Sequence, residues 1–234
     1  MTARIKEKLA RGETVSMVLI NYPVPALVEK VAQLGFDIAF IDCEKGSATT
    51  ERIEDMCRAG RASGIATVVR PWSGDAGLIS RYLDLGADGV MVAGIDEPQA
   101  ARDLVQAVHY ARYADFDRKL VISMIESPKA IANLPQLLQT EGVDVWFIGP
   151  NDLAHRMGHP GNAAHPDVRR AVHDALGVIR DAGARAGTPV TPQTAAALID
   201  AGARLVMTRV ADLLTAGAQS FNEGLRPSPG KPAA

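Results

Sequence analysis

The chain has 234 residues, long for one ordinary domain and normal for a single α/β barrel. Hydrophobic residues make up 47% of it, enough for a large aliphatic core, and the formal net charge is −2. No basic surplus points to nucleic acid or an anionic membrane, and no apolar run approaches the ~20 residues that span a bilayer.

Residues 3–11 pattern as a short amphipathic helix, and residues 15–20 as a first strand. Residues 25–34 form the next helix and 37–42 an apolar strand ending IDCEKG. A helix over 51–63 leads to strand Ala66–Arg70, and a helix over 76–85 to strand Gly89–Val92. A helix over 97–110 precedes strand Leu120–Ile125. One crossover helix over 128–140 then reaches strand Val145–Ile148. Helix 166–182, strand 186–190, helix 192–201, strand 205–209 and helix 211–222 complete the series. Helix, glycine, strand recurs in LGFDIAF, SGIATVV, LGADGVMV, EGVDVWFI and AGARLVM. Glycine there supplies the left-handed cap that turns the chain back into the sheet. Eight such alternations of nearly continuous apolar strands predict an α/β fold, a single-domain (β/α)8 TIM barrel over residues 1–224. The Pro-rich segment 225–234 is expected to be disordered.

Parallel α/β proteins keep their chemistry at the C-terminal ends of the strands. In segment 119–153, two adjacent apolar strands are each followed by a carboxylate, Glu126 and Asp152. Both acids then sit at one sheet edge, near enough to grip one Mg2+ or Mn2+. The competing reading makes Asp152 the N-cap of the helix before LAHRM and Glu126 a capping carboxylate. Arg70 ends a buried strand and offers a planar fork to a carboxylate, of a substrate or of Asp42 or Glu44. His155 and His159 share the i,i+4 spacing of a zinc pair, but Pro160 cuts that helix short. Cys43 and Cys57 form neither a CxxC pair nor a disulfide framework. With a charged N-terminus that lacks a signal core, they imply a cytoplasmic protein.

IDCEKG, VVRP, YLDLGADGVMV and MIESPKAIANLPQLLQTEGVDVWFIGPNDLAHRMGHPGNAAHPDV resemble the HpcH/HpaI class II pyruvate aldolases, over roughly residues 15–221. The resemblance implies a (β/α)8 barrel that binds a divalent metal (Mg2+ or Mn2+, with Co2+ also suited) and a pyruvate enolate. It implies a homo-oligomer, trimer or hexamer, with exchanged C-terminal helices, acting on a small 2-oxo acid. By motif, Glu126 and Asp152 match the metal ligands. Arg70 matches the arginine that polarises the pyruvate oxygen. Asp42 matches an acid that orients water at the metal, and Asp84 one that reaches a neighbouring subunit's site. Gly149, Pro150 and Asn151 match the loop that cradles the pyruvate carboxylate, with help from the helix that follows.

Two positions depart from the pattern. The family's acid/base histidine is Lys45 here, which serves as assisting base, as a holder of an anionic group, or as a solvated loop residue. The PPxGxRG loop before the fifth strand is missing; VHYARYADFDRKL bridges the gap, with Tyr110, Arg112 and Tyr113 as candidate substitutes. The expected reaction is aldol cleavage of a 4-hydroxy-2-oxo acid to pyruvate and an aldehyde. Decarboxylation of an oxaloacetate-like acid is the rival, since it needs neither the loop nor a base for a 4-hydroxyl. A barrel that binds a 2-oxo acid without turnover is the third reading.

Overall fold

The computed structural model describes residues 1–225, so the expected disorder of the tail lies, apart from Leu225, outside the described residues. The elements run α1 (Thr2–Ala10), β1 (Val15–Leu19), α2 (Pro25–Gln33), β2 (Ile38–Asp42), α3 (Thr50–Ser63), β3 (Ala66–Arg70), α4 (Ala76–Asp84) and β4 (Gly89–Val92). They continue α5 (Pro98–Ala111), β5 (Leu120–Ile125), α6 (Pro128–Ala132), α7 (Leu134–Leu137), β6 (Val145–Ile148), α8 (Pro150–Arg156), α9 (Pro166–Asp181), β7 (Ala186–Pro189), α10 (Ala195–Ala201), β8 (Ala203–Arg209) and α11 (Val210–Gly224). The strands pair in parallel and in chain order, and β8 returns to β1 to close the barrel. The expected (β/α)8 barrel is the observed fold.

Alternate strand residues point to opposite faces. Met17, Phe40, Val68, Met91, Ile122 and Phe147 fill the barrel, while Ile41, Val69, Val90 and Trp146 pack outward on the helices. Gly187 makes room inside, since a Cβ there would fall 2.6 Å from Phe147 Cδ2. The glycines expected to close helices take the left-handed backbone, as Gly64 does at φ 74° after α3.

One predicted element is wrong. The single helix over 128–140 is two short ones, α6 and α7, broken at Asn133. Pro135 has no N–H to give the Ile131 carbonyl, and its ring clashes there. Several boundaries also move by one to three residues. Thr191 and Pro192 form a turn closed by Thr191 N donating to Thr194 Oγ1 at 2.9 Å, so α10 starts at Ala195 rather than 192. Strand β8 starts two residues earlier than expected, at Ala203.

Three acids organise the N-terminal edge. Asp37, Asp88 and Asp144 each precede a strand and follow a turn glycine by two residues. Each carboxylate accepts a backbone N–H of the preceding strand: Ser16 for Asp37 at 2.9 Å, Thr67 for Asp88 at 2.9 Å, Val121 for Asp144 at 2.8 Å. Helix α1 covers this end and puts Ile5 and Leu9 into the interior core. It also reaches all three acids: Lys8 to Asp37 at 2.9 Å, Lys6 to Asp144 at 3.0 Å, and Thr2 Oγ1 to Asp88 at 3.5 Å.

Burial opposes ionisation of Asp37, but the Ser16 N–H and the Lys8 ammonium outweigh it and hold the carboxyl below its usual range. Asp37→Asn is therefore expected to lower unfolding free energy by about 1–3 kcal/mol near neutral pH. The native pKa is the lower one, so this difference is full above about pH 4 and shrinks as pH falls through it. Urea melts of both proteins across the acid range check the sign.

Candidate active site

Register brings the predicted residues together. Asp42 and Arg70 are Cα partners at the ends of β2 and β3. Ile125 pairs with Ile148 at the ends of β5 and β6, so Glu126 and Gly149 emerge side by side. Gly149 N donates to Ile125 O at 3.0 Å and locks that junction. Between the two pairs lies a cavity of about 300 Å3 with Phe40, Met91, Met124 and Phe147 among its lining. Of the nine predicted residues, seven line it: Asp42, Lys45, Arg70, Gly149, Pro150, Asn151 and Asp152. A wider groove of about 760 Å3, lined by residues of α5 and the segment after α7, lies away from the strand ends.

Arg70 is held in a fork. Its Nε donates to Asp42 Oδ1 at 2.9 Å and its Nη2 to Asp42 Oδ2 at 2.6 Å. Nη1 lies 2.8 Å from Glu44 Oε2, so the expected internal ion pair forms with both acids. Asp42 Oδ1 also accepts the Glu44 and Lys45 N–H groups, at 3.0 and 3.3 Å. Burial pushes the Asp42 carboxyl up, but the Arg70 guanidinium overrides this and the net pKa is lowered. One lone pair on Oδ2 stays free for a water.

Neither metal candidate is a helix cap. Ser127 caps α6 through its Oγ, which accepts Ala130 N at 2.9 Å. Gly149 is the N-cap of α8, and Asp152 stands inside the first turn. Glu126 is 4% exposed; its Oε1 accepts Gly94 N at 3.1 Å, and its Oε2 is buried with no partner. That oxygen abuts Gly149, where a Cβ would stand only 3.2 Å away. Burial, then the charges of Asp152 and Glu44, raise the Glu126 pKa. Asp152 meets Lys45, whose Nζ lies 3.2 and 2.9 Å from its two oxygens.

The site thus gathers four carboxyl groups (Asp42, Glu44, Glu126 and Asp152) with the cations Arg70, Lys45 and Arg209. An orphaned buried oxygen and a purely oxygen donor set fit a hard divalent cation held by Glu126 and Asp152.

Asp84 is not brought to this cavity. It ends α4 at the opposite edge of the barrel, mostly exposed, and pairs with Arg112 at 2.9 Å. His155 and His159 do not form the spaced pair, because α8 stops at Arg156. Among the described residues, His159, His165 and Asp167 do cluster. Their two rings stack at 3.5 Å and 13°, so the lone pairs lie in near-parallel planes. His165 Nδ1 already accepts Asp167 N at 3.2 Å, which suits capping rather than metal binding. Burial pushes the Cys43 thiol up to about 11, which leaves it protonated and a poor nucleophile.

Three contributors escaped the sequence reading. Gly94 orients Glu126 through its N–H, from a left-handed turn at φ 72° whose sole trace is the glycine in VAGID. Gly46 lets the turn after β2 close, for a Cβ there would fall 2.0 Å from Asp42 O. Asn21, after β1, lines the cavity wall.

The profile described as HpcH/HpaI aldolase/citrate lyase matches residues 16–208. The chain belongs to this family. The 2-keto-3-deoxy-L-rhamnonate aldolase of Escherichia coli (strain K12 / DH10B) is 30% identical, across 89% of this chain and 87% of the relative. A solved HpcH/HpaI aldolase/citrate lyase family protein from Burkholderia cenocepacia J2315 superposes with TM-score 0.85 at 26% identity, covering 95% of this chain and 99% of that one. The HpcH/HpaI aldolase structure from Desulfitobacterium hafniense DCB-2 shares the fold, with TM-score 0.84 at 23% identity over 97% and 98% of the two chains. As a member of the HpcH/HpaI family with named aldolase relatives, the protein is a carbon–carbon lyase.

The buried Arg70–Asp42 pair generates a stability prediction. Arg70→Met is expected to cost about 3–5 kcal/mol, because it strands the Asp42 carboxylate. Adding Asp42→Leu should recover most of that loss, which a double-mutant cycle in denaturant measures.

Proposed function

We propose that the protein cleaves a 4-hydroxy-2-oxo acid to pyruvate and an aldehyde, with Mg2+ or Mn2+ held by Glu126 and Asp152. Co2+ suits the same oxygen donors. The observation that carries this reading is the unpartnered Glu126 Oε2, buried beside Gly149 at the end of the strand next to the one that leads to Asp152. When bound, the metal supplies Lewis acidity to the 2-oxo oxygen. The substrate carboxylate lies on the Gly149–Pro150–Asn151 loop, where the Asn151 and Asp152 N–H groups belong to the first turn of α8 and have no preceding turn to donate to. Arg70, held rigid by Asp42 and Glu44, offers Nη1 to the C2 oxygen. The 4-hydroxyl proton passes to a water held by the free lone pair of Asp42. The C3–C4 electron pair then moves into the C2–C3 bond, and Arg70 meets the charge that develops on the oxygen. Protonation of C3 gives the pyruvate methyl group. Lys45 Nζ stands against both Asp152 oxygens, so its part is to assist from that position rather than to face the 4-hydroxyl.

That engagement of Lys45 also favours a second reading, decarboxylation of an oxaloacetate-like acid, which needs no base for a 4-hydroxyl. Both reactions pass through the same enolate. Oxaloacetate turnover without retro-aldol activity would select the second.

Helix α11 supports assembly. Val210 is its one buried residue, while Leu213, Leu214 and Phe221 are exposed. We propose that copies cover these apolar faces by exchanging the helix, as a trimer or hexamer, and that Asp84 serves a neighbour's cavity. The compartment proposed is the cytoplasm, which agrees with two free, buried cysteines. Among the described residues no helix is long and apolar enough to cross a membrane.

Two outcomes test these readings. Wild type with Mn2+ should exchange pyruvate methyl protons for deuterium, and Glu126→Gln should slow this at least about a hundredfold with the circular dichroism unchanged. Exchange at the wild-type rate in the variant, or in chelator, would sink the metal assignment. Leu214→Asp with Phe221→Asp should turn the assembly into a monomer on light scattering.

A further inference from the structure

Lys45 has been placed on Asp152, and Asp152 is one of the two carboxylates proposed for the metal. An ammonium and a divalent cation compete for the same two carboxylate oxygens. We propose that Lys45 is a built-in rival of the metal for Asp152, and that this rivalry sets the metal affinity of the site. The inference rests on the reading that Glu126 and Asp152 are the ligands.

The lysine is positioned, not merely nearby. Its own N–H donates to Asp42 Oδ1 at 3.3 Å, and that of Glu44 donates to the same oxygen at 3.0 Å. Gly46 then closes the turn against the Asp42 carbonyl. The turn after β2 is therefore tied to a carboxylate that is itself locked by Arg70. From this base the Lys45 side chain crosses to Asp152 and engages both oxygens, at 3.2 and 2.9 Å.

The two ligands are consequently unequal. Glu126 keeps one buried oxygen without any partner, while Asp152 has neither oxygen free of the ammonium. A cation that takes Asp152 must share its two oxygens with the Lys45 ammonium or displace it, and either way meets a like charge tethered on the same wall. Both side chains are partly solvated, at 55% and 38% exposure, which limits the penalty to about tenfold in affinity.

Arg209 supplies the control. It lines the same cavity, but Asp212 holds it at 2.7 and 2.9 Å. Removing it changes the general field without freeing Asp152.

The experiment is Mn2+ binding, read from the signal of free Mn2+ in electron paramagnetic resonance titrations, with no substrate present. Lys45→Gln should bind Mn2+ about tenfold more tightly than wild type. Lys45→Arg, which keeps the charge, should bind no tighter than wild type. Arg209→Gln should stay within about threefold. Equal or weaker binding in Lys45→Gln overturns the proposal. So does tightening in Arg209→Gln as large as in Lys45→Gln, for then the field alone is responsible. If Glu126→Gln loses binding while Lys45→Gln matches wild type, the rivalry fails and the ligand reading stands. Mn2+ binding by none of the proteins overturns both.

Discussion

Parallel closure is the constraint from which the rest follows. Because every strand runs the same way and β8 pairs back with β1, all eight C-terminal ends meet in one ring. Charged side chains at those ends cannot turn away into the core, and the register decides which of them touch. Asp42 faces Arg70 as a direct partner, which makes a two-bond fork where a slip of one residue would make none. The same rule sets Glu126 beside Gly149 and lets one buried oxygen rest where any side chain on residue 149 would crowd it.

Most of this was legible from local signals. Apolar strands of four to six residues, all but β5 preceded by a turn glycine, located β3, β4, β5 and β6 to the residue. Strand ends then named the candidates, because topology carries a strand's last residue to the site whatever the rest of the chain does. The failures have a common cause. Helix 128–140 fails at Pro135, whose effect falls four residues upstream, on a carbonyl that the apolar pattern does not report. The Gly94 N–H reaches Glu126 across the β4–β5 pair, and the Lys45–Asp152 contact spans 107 positions in sequence. Neither leaves a periodicity to read. Asp84 is a different case. Its motif position was legible, but among the described residues of one chain it finds only Arg112 at the far edge.

The charge pattern at the strand ends is a compromise between holding the barrel and leaving something reactive. Asp42 and Glu44 are spent largely on Arg70, which keeps the guanidinium rigid in a pocket it would otherwise leave for water. Glu126 is the opposite case: buried, pushed toward the neutral form by burial and by its acidic neighbours, and given one N–H where two oxygens ask for partners. A fold tolerates such a carboxylate when closure elsewhere is strong. Here fully buried rows of Ile, Val, Leu and Phe supply that closure. Lysine at position 45 adds a further positive charge to this balance, and it falls on the less buried acid.

The opposite rim has its own consequence, in time rather than in energy. Helix α1 leaves the ribosome ahead of every strand, yet its three anchoring acids follow at positions 37, 88 and 144. Its last anchor, Asp144, is made only after β5, so the stopper is written before the barrel and fitted late. Until then Ile5 and Leu9 have no interior to enter. A nascent chain therefore carries an amphipathic helix with nowhere to sit, and its basic residues help keep that helix in water while the barrel it will seal is still being made.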